Sequence, residues 1–134
     1  MWDVRGRKHD RERLLAALTV VRRDLRSDAG LADLPVEIVH LRDRLPRGYF
    51  VSIGKRIEGT EPLDLDRDDD LLLAEVAAAV QDSVMRGFAG TFTVWPVCDI
   101  HDLGCHVDAE RASWSCKGGG GHAVASIGEL NAAS

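Results

Sequence analysis

The sequence predicts an α+β fold, and three observations carry that prediction. Two amphipathic helical stretches, residues 9–26 and 69–85, are separated by runs with the period-two alternation of strands. The last third, 95–134, reads as short strands around a cluster of cysteine and histidine. A chain of 134 residues that is 45% hydrophobic and 29% charged has the balance of a globular protein able to bury a real core. The expected order is an N-terminal helix, a β-hairpin, a long core helix and a C-terminal β-rich, zinc-ribbon-like module. Residues 1–94 form the α+β body in this reading. Residues 95–134 form the module, packed on the body as one compact domain overall.

In the first helix Leu14, Ala17, Leu18, Val21 and Leu25 recur at three- and four-residue spacing and define one apolar face. Arg11, Arg13, Arg22, Arg23 and Arg26 take other positions, and the last three suit the negative end of the helix dipole. Val36, Ile38 and His40 then alternate with Glu37, Val39 and Leu41. A basic, turn-rich link leads to residues 49–57, where Tyr49, Val51 and Ile53 share one parity and Phe50, Ser52 and Gly54 the other. Two such runs and a short link predict an antiparallel hairpin.

Residues 58–70 are acidic and contain Gly59 and Pro62, so they read as a surface loop. Asp64, Asp66, Asp68 and Asp70 alternate like the start of a calcium loop. The position that needs glycine is Asp69, however, and Leu71 to Leu73 already read as helix, so the pattern fails. Asp68, Asp69 and Asp70 instead suit the N-terminus of the second helix, as cap and dipole complement. Leu72, Leu73, Val76, Ala77, Val80, Val84 and Phe88 form its apolar stripe, and Gly87 or Gly90 can end it. Residues 91–95 predict a strand stopped by Pro96.

The last third holds all three cysteines and three of the five histidines. Cys98 and His101 form a C-x2-H pair, and Cys116 and His122 form a C-x5-H pair. Two close-spaced pairs brought together by a hairpin supply the four ligands of a structural zinc site. The residues between His101 and Cys116 suit two short strands with a turn near 108–111, and Trp95 and Trp114 would shield the site. Val124, Ile127 and Leu130 would fasten the last strand to the core. The run Gly118 to Gly121 permits whatever turn returns His122; it is no phosphate loop, because Lys117 precedes the glycines. Cys105 and His106 are rival ligands, as in the set Cys98, His101, His106 and Cys116.

In Trp95-Pro96-Val97-Cys98, His101, Trp114-Ser115-Cys116 and Ile127-Gly128-Glu129-Leu130 the chain resembles small actinobacterial proteins for which no activity is established. That resemblance implies no catalytic residue.

Charge and composition narrow the function classes. The net charge is −5, yet residues 1–26 carry eight basic and four acidic side chains and residues 58–82 nine acidic and one basic, which predicts neighbouring or solvated faces. No apolar run approaches the roughly 20 residues of a membrane span, and three cysteines cannot all pair, so the expected setting is cytoplasmic with no membrane partner. The leading expectation is a small non-enzymatic interaction or regulatory protein with a structural zinc, an unidentified protein partner and association into a homodimer. One alternative is a metal-dependent hydrolase with Cys98, His101 and His122 as ligands and Asp102 as base. Another is a nucleic-acid binder using Arg42, Arg44, Arg47, Lys55 and Arg56, which the acidic balance disfavours.

Overall fold

Asp68 starts the main helix of the protein: its carboxylate accepts the backbone N–H of Leu71 at 2.9 Å, and Asp69 and Asp70 fill the first turn. The computed structural model describes residues 4–43, 45–86 and 93–133. Within it the elements are α1 (Val4–Leu25), β1 (Val36–Leu41), β2 (Gly48–Ile53), β3 (Arg56–Glu58), α2 (Asp69–Met85), β4 (Val97–Cys98), β5 (Leu103–Gly104), β6 (His106–Asp108), β7 (Ser113–Cys116), β8 (His122–Ser126) and α3 (Leu130–Ala133). The fold is mixed α+β, as the alternation of patterns predicts.

Helices α1 and α2 pack on each other through the expected apolar faces, Leu14, Ala17, Leu18, Val21 and Leu25 on one and Leu72, Val76, Ala77, Val80 and Val84 on the other. Each fully buried Leu or Val contributes about 1.5–3 kcal/mol, so this seam dominates the body. Arg13 ties the acidic loop across it. Its guanidinium pairs with Asp69 at 2.8 Å and donates to the carbonyls of Leu65 and Arg67 at 3.0 and 2.7 Å. The basic and acidic segments do meet, at this contact.

The run 49–57 is not one strand. Gly54 and Lys55 turn the chain with φ of 58° and 71°, and β3 returns antiparallel to β2. The hairpin therefore becomes a three-stranded sheet in the order β1-β2-β3, with Val36 opposite Ile53 and Leu41 opposite Gly48 at the two ends of the first ladder. As the central strand, β2 is buried at consecutive positions from Tyr49 to Ile53. At the end of β3, buried Glu58 accepts from Arg56 and from Ser83 of α2, both at 3.0 Å.

Thr91, Phe92, Gly87, Phe88 and Gly90 lie outside the described residues, and Thr93 to Trp95 form no strand before Pro96. Beyond them, β4 and β5 make a two-stranded ladder, and β6-β7-β8 a three-stranded antiparallel sheet. The turn expected near 108–111 joins β6 to β7, with the Asp108 carboxylate accepting from the N–H of Glu110 and Arg111. Ile127 is buried, whereas Leu130 opens the short helix α3 and does not extend the last strand.

Candidate metal centre

Two tight turns face each other at the heart of the C-terminal module. The first, between β4 and β5, closes with the Asp102 N–H donating to the Cys98 carbonyl at 2.7 Å. The second follows β7, where the Gly118 N–H donates to Cys116 Sγ at 3.3 Å. Each turn thus aims backbone N–H groups at a sulfur. The N–H of His101, helped by that of Ile100, holds the Cys98 thiol below its ordinary value of 9.0 against the opposing effect of burial. A depressed thiol is a better ligand, because the thiolate is the coordinating form.

His101 and His122 complete the group. Cys98 Sγ lies 3.6 Å from His101 Nδ1 and 3.6 Å from His122 Nε2, Cys116 Sγ lies 3.7 Å from His101 Nδ1, and the two ring nitrogens are 3.2 Å apart. The four atoms all lie within 4.8 Å of one another, an arrangement that can hold a metal ion. Both cysteines are buried and both histidines stand closer to solvent.

The glycine run does more than permit a turn. A Cβ on Gly118 would stand 2.6 Å from His101 Cγ, and one on Gly119, whose φ is 63°, would stand 3.0 Å from its Nε2. These glycines let the backbone lie against the imidazole and fix its orientation. At Gly120, with φ of 87°, nothing lies within 4 Å of the missing Cβ, so only the backbone conformation asks for glycine.

Among the described residues, Cys105 and His106 are not part of the convergent group. His106 is exposed on β6, opposite Ser115. Cys105 is buried, and burial, reinforced by the neighbouring Cys98 and Cys116, pushes its thiol up to about 11. Its backbone matters more than its sulfur. The Cys105 N–H donates to the Pro96 carbonyl, and Gln81 of α2 donates to the carbonyls of Cys105 and Trp95 at 2.7 and 3.2 Å, docking the first turn on the body.

Trp95 and Trp114 pack edge to face at 5.3 Å between the module and the core. The Trp114 indole donates to Asp24 of α1 at 2.6 Å, whereas Nε1 of Trp95 is buried without a hydrogen-bond partner among the described residues. Asp24, fully buried, also accepts from the N–H groups of Gly128 and Leu130 at 2.6 and 3.0 Å. Sequence reasoning misses this clamp, because Asp24 stands in a polar stretch of α1 that reads as a solvated face.

Of the five basic residues considered for nucleic acid, the four that are described do not gather. Arg42 and Arg47 flank one end of β2, while Lys55 and Arg56 stand at the other, about 17–20 Å away at strand rise. Arg56 is engaged by Glu58 and Ser83. Arg44 lies outside the described residues. No described helix is long and apolar enough to cross a membrane.

Fold and site together define an α+β protein with a Cys/His group able to hold a metal ion. Compared with protein-family models, curated proteins and solved structures, the chain matches none.

Proposed function

We propose that this is a small non-enzymatic interaction protein whose C-terminal contact surface is held in shape by a structural zinc ion. The convergence of Cys98, His101, Cys116 and His122 carries the metal part of the reading. Tetrahedral zinc bonded at about 2.3 Å to sulfur and about 2.0–2.1 Å to nitrogen sets sulfur–nitrogen edges of about 3.6 Å and nitrogen–nitrogen edges of about 3.3 Å. The separations here are 3.6, 3.6 and 3.7 Å for the former and 3.2 Å for the latter. Two thiolates and two imidazoles are also a donor set that suits zinc. His101 would bind through Nδ1 and His122 through Nε2.

Four converging side chains favour a structural site over a hydrolytic one. A catalytic zinc keeps one position for water, and with Cys98, His101 and His122 as its ligands Cys116 Sγ would occupy that fourth corner.

The interaction part rests on where apolar surface is exposed. Of the six large hydrophobic side chains exposed among the described residues, Val94, Val97, Ile100 and Leu103 lie on or beside the β4–β5 hairpin, with Ile100 at its tip 82% exposed. Exposed Asp99 and Asp102 flank Ile100. A partner segment with apolar side chains and a basic rim fits this surface, and a rigid turn loses little entropy on binding it. A second copy of the chain is the first partner to examine.

Metal analysis with X-ray absorption spectroscopy on protein purified without a polyhistidine tag tests the metal part. About one zinc per chain, bound by two sulfurs and two nitrogens, supports the reading. A folded chain that retains no metal overturns it. Sedimentation of wild type and Ile100→Asp then tests self-association through the hairpin.

A further inference from the structure

Away from the metal centre, a cavity of about 840 Å³ opens between the β1–β2 end of the sheet and the loop before α2. Its size is that of small-ligand sites, which run from about 300 to 1,000 Å³. The two walls are fixed to each other. Gly48 approaches Pro62 so closely that a Cβ would stand 2.6 Å from the proline ring, and the Leu63 N–H donates to the Tyr49 carbonyl at 2.8 Å. Tyr49, Pro62, Leu63 and Leu65 give the cavity an apolar strip.

The walls carry opposite charge. On the sheet side Arg42 and Arg47 sit just beyond the last rung, Leu41 opposite Gly48, one on each strand. Like charges placed across a ladder repel. Arg42 Nε donates to His40 Nδ1 at 3.3 Å, and the His40 ring stacks on Tyr49 with centroids 4.4 Å apart. Neither arginine is ion-paired among the described residues. On the loop side Arg67 is taken up by Asp64 at 3.2 Å and Glu75 at 3.9 Å, leaving Glu61 and Asp66 without an ion pair among the described residues. The scaffold holds two guanidiniums and two carboxylates on opposite walls without letting them meet.

We propose that this cavity binds a short zwitterionic peptide with an apolar side chain. Its free carboxylate lies between Arg42 and Arg47, whose planar forks match a carboxylate. Its amine points to Glu61 and Asp66, and its side chain lies along Tyr49, Pro62 and Leu63. The site is independent of the metal centre and uses none of its residues.

Calorimetric titration of the full chain with the dipeptide glycyl-phenylalanine tests this, alongside its C-terminal amide, its N-acetyl form and adenosine monophosphate. Saturable binding of the free dipeptide is expected, weakened about tenfold or more by amidation, by Arg42→Gln or by Arg47→Gln, consistent with charge-assisted bidentate bonds. N-acetylation and Asp66→Asn should each weaken it severalfold. All three substitutions are at exposed positions, and an unchanged melting temperature certifies the variants as folded. The proposal is overturned if the free dipeptide does not bind saturably, if the arginine variants bind it as well as wild type, if the acetylated form binds equally, or if the nucleotide binds more tightly.

Discussion

The carboxylate of Asp24 and the indole of Trp114 lie ninety residues apart in sequence and share a 2.6 Å hydrogen bond inside the core. Gly128 and Leu130 donate to the same carboxylate, so one side chain of α1 joins β7 to the start of α3. All three partners are N–H donors. Asn can offer its oxygen to Trp114 and Gly128 only by turning its amide N–H toward that of Leu130. Asp24→Asn is therefore expected to lower stability by about 1–3 kcal/mol, the range for a buried group left unpaired. Urea unfolding followed by tryptophan fluorescence measures it.

The same carboxyl predicts a pH dependence. Burial pushes it above the ordinary value of 3.8, and the Trp114, Gly128 and Leu130 donors only partly oppose that. The native state then holds this proton more tightly than the unfolded chain. The stability so gained is complete below 3.8 and is lost as pH rises through the folded value. The advantage of wild type over Asp24→Asn, which has no proton to lose, should narrow across that interval. Denaturant titrations of both chains from acid to neutral pH would expose a gap that widens instead.

Two tryptophan substitutions should separate cleanly. Trp114→Phe removes the partner of Asp24, whereas Trp95→Phe removes a buried donor that has none among the described residues. Both lose ring volume. Trp114→Phe should cost more, by about 1–3 kcal/mol, because it alone leaves a buried carboxyl short of a bond. Equal losses would mean that packing, and not the bond, sets the value of Trp114.

Glycine substitutions test how His101 is oriented. Gly118→Ala places a methyl 2.6 Å from the imidazole and should weaken binding of the proposed zinc about 10- to 100-fold, as lost support of a ligand usually does. Gly120→Ala meets no atom within 4 Å and strains only the backbone, by about 1–2 kcal/mol of stability with affinity retained. Competition with a chromophoric chelator reads the first effect and thermal unfolding the second.

On the proposed site, Cys105→Ser should leave the metal content unchanged, because its thiol lies outside the convergent group. Chelation of the metal should free Cys98 and Cys116 for thiol reagents and lower the melting temperature, while the α1–α2 seam keeps the far-ultraviolet helix signal. A drop in stoichiometry in Cys105→Ser would reinstate Cys105 as a ligand.

What is legible in the sequence is what local chemistry decides. The bounds of α2 follow from Asp68 and the apolar spacing behind it, and both lie within a few residues of where they act. The spacings Cys98 to His101 and Cys116 to His122 pair the residues that meet in the fold. Spacing cannot separate them from Cys105 and His106, because that choice depends on which way each strand faces. Strand β3 is hidden for a related reason: Lys55 takes a left-handed conformation that its residue type does not announce, inside an otherwise continuous alternation. Asp24 is hidden by distance, since nothing within α1 tells a buried carboxylate from its exposed neighbours Arg22 and Arg23.

The Asp24 clamp also bears on biosynthesis. Leu130, the most distant of its donors, follows Asp24 by 106 residues. At a translation rate of about 5–20 residues per second, the ribosome adds that interval in roughly 5–20 s. Until Trp114 is added, ninety residues after Asp24, α1 carries a carboxyl near the end of the surface it must bury with none of the three donors yet made. Burying that carboxyl before its donors exist would cost about 1–3 kcal/mol, so the full seating of this end of α1 is favoured only once β7 and α3 have been made.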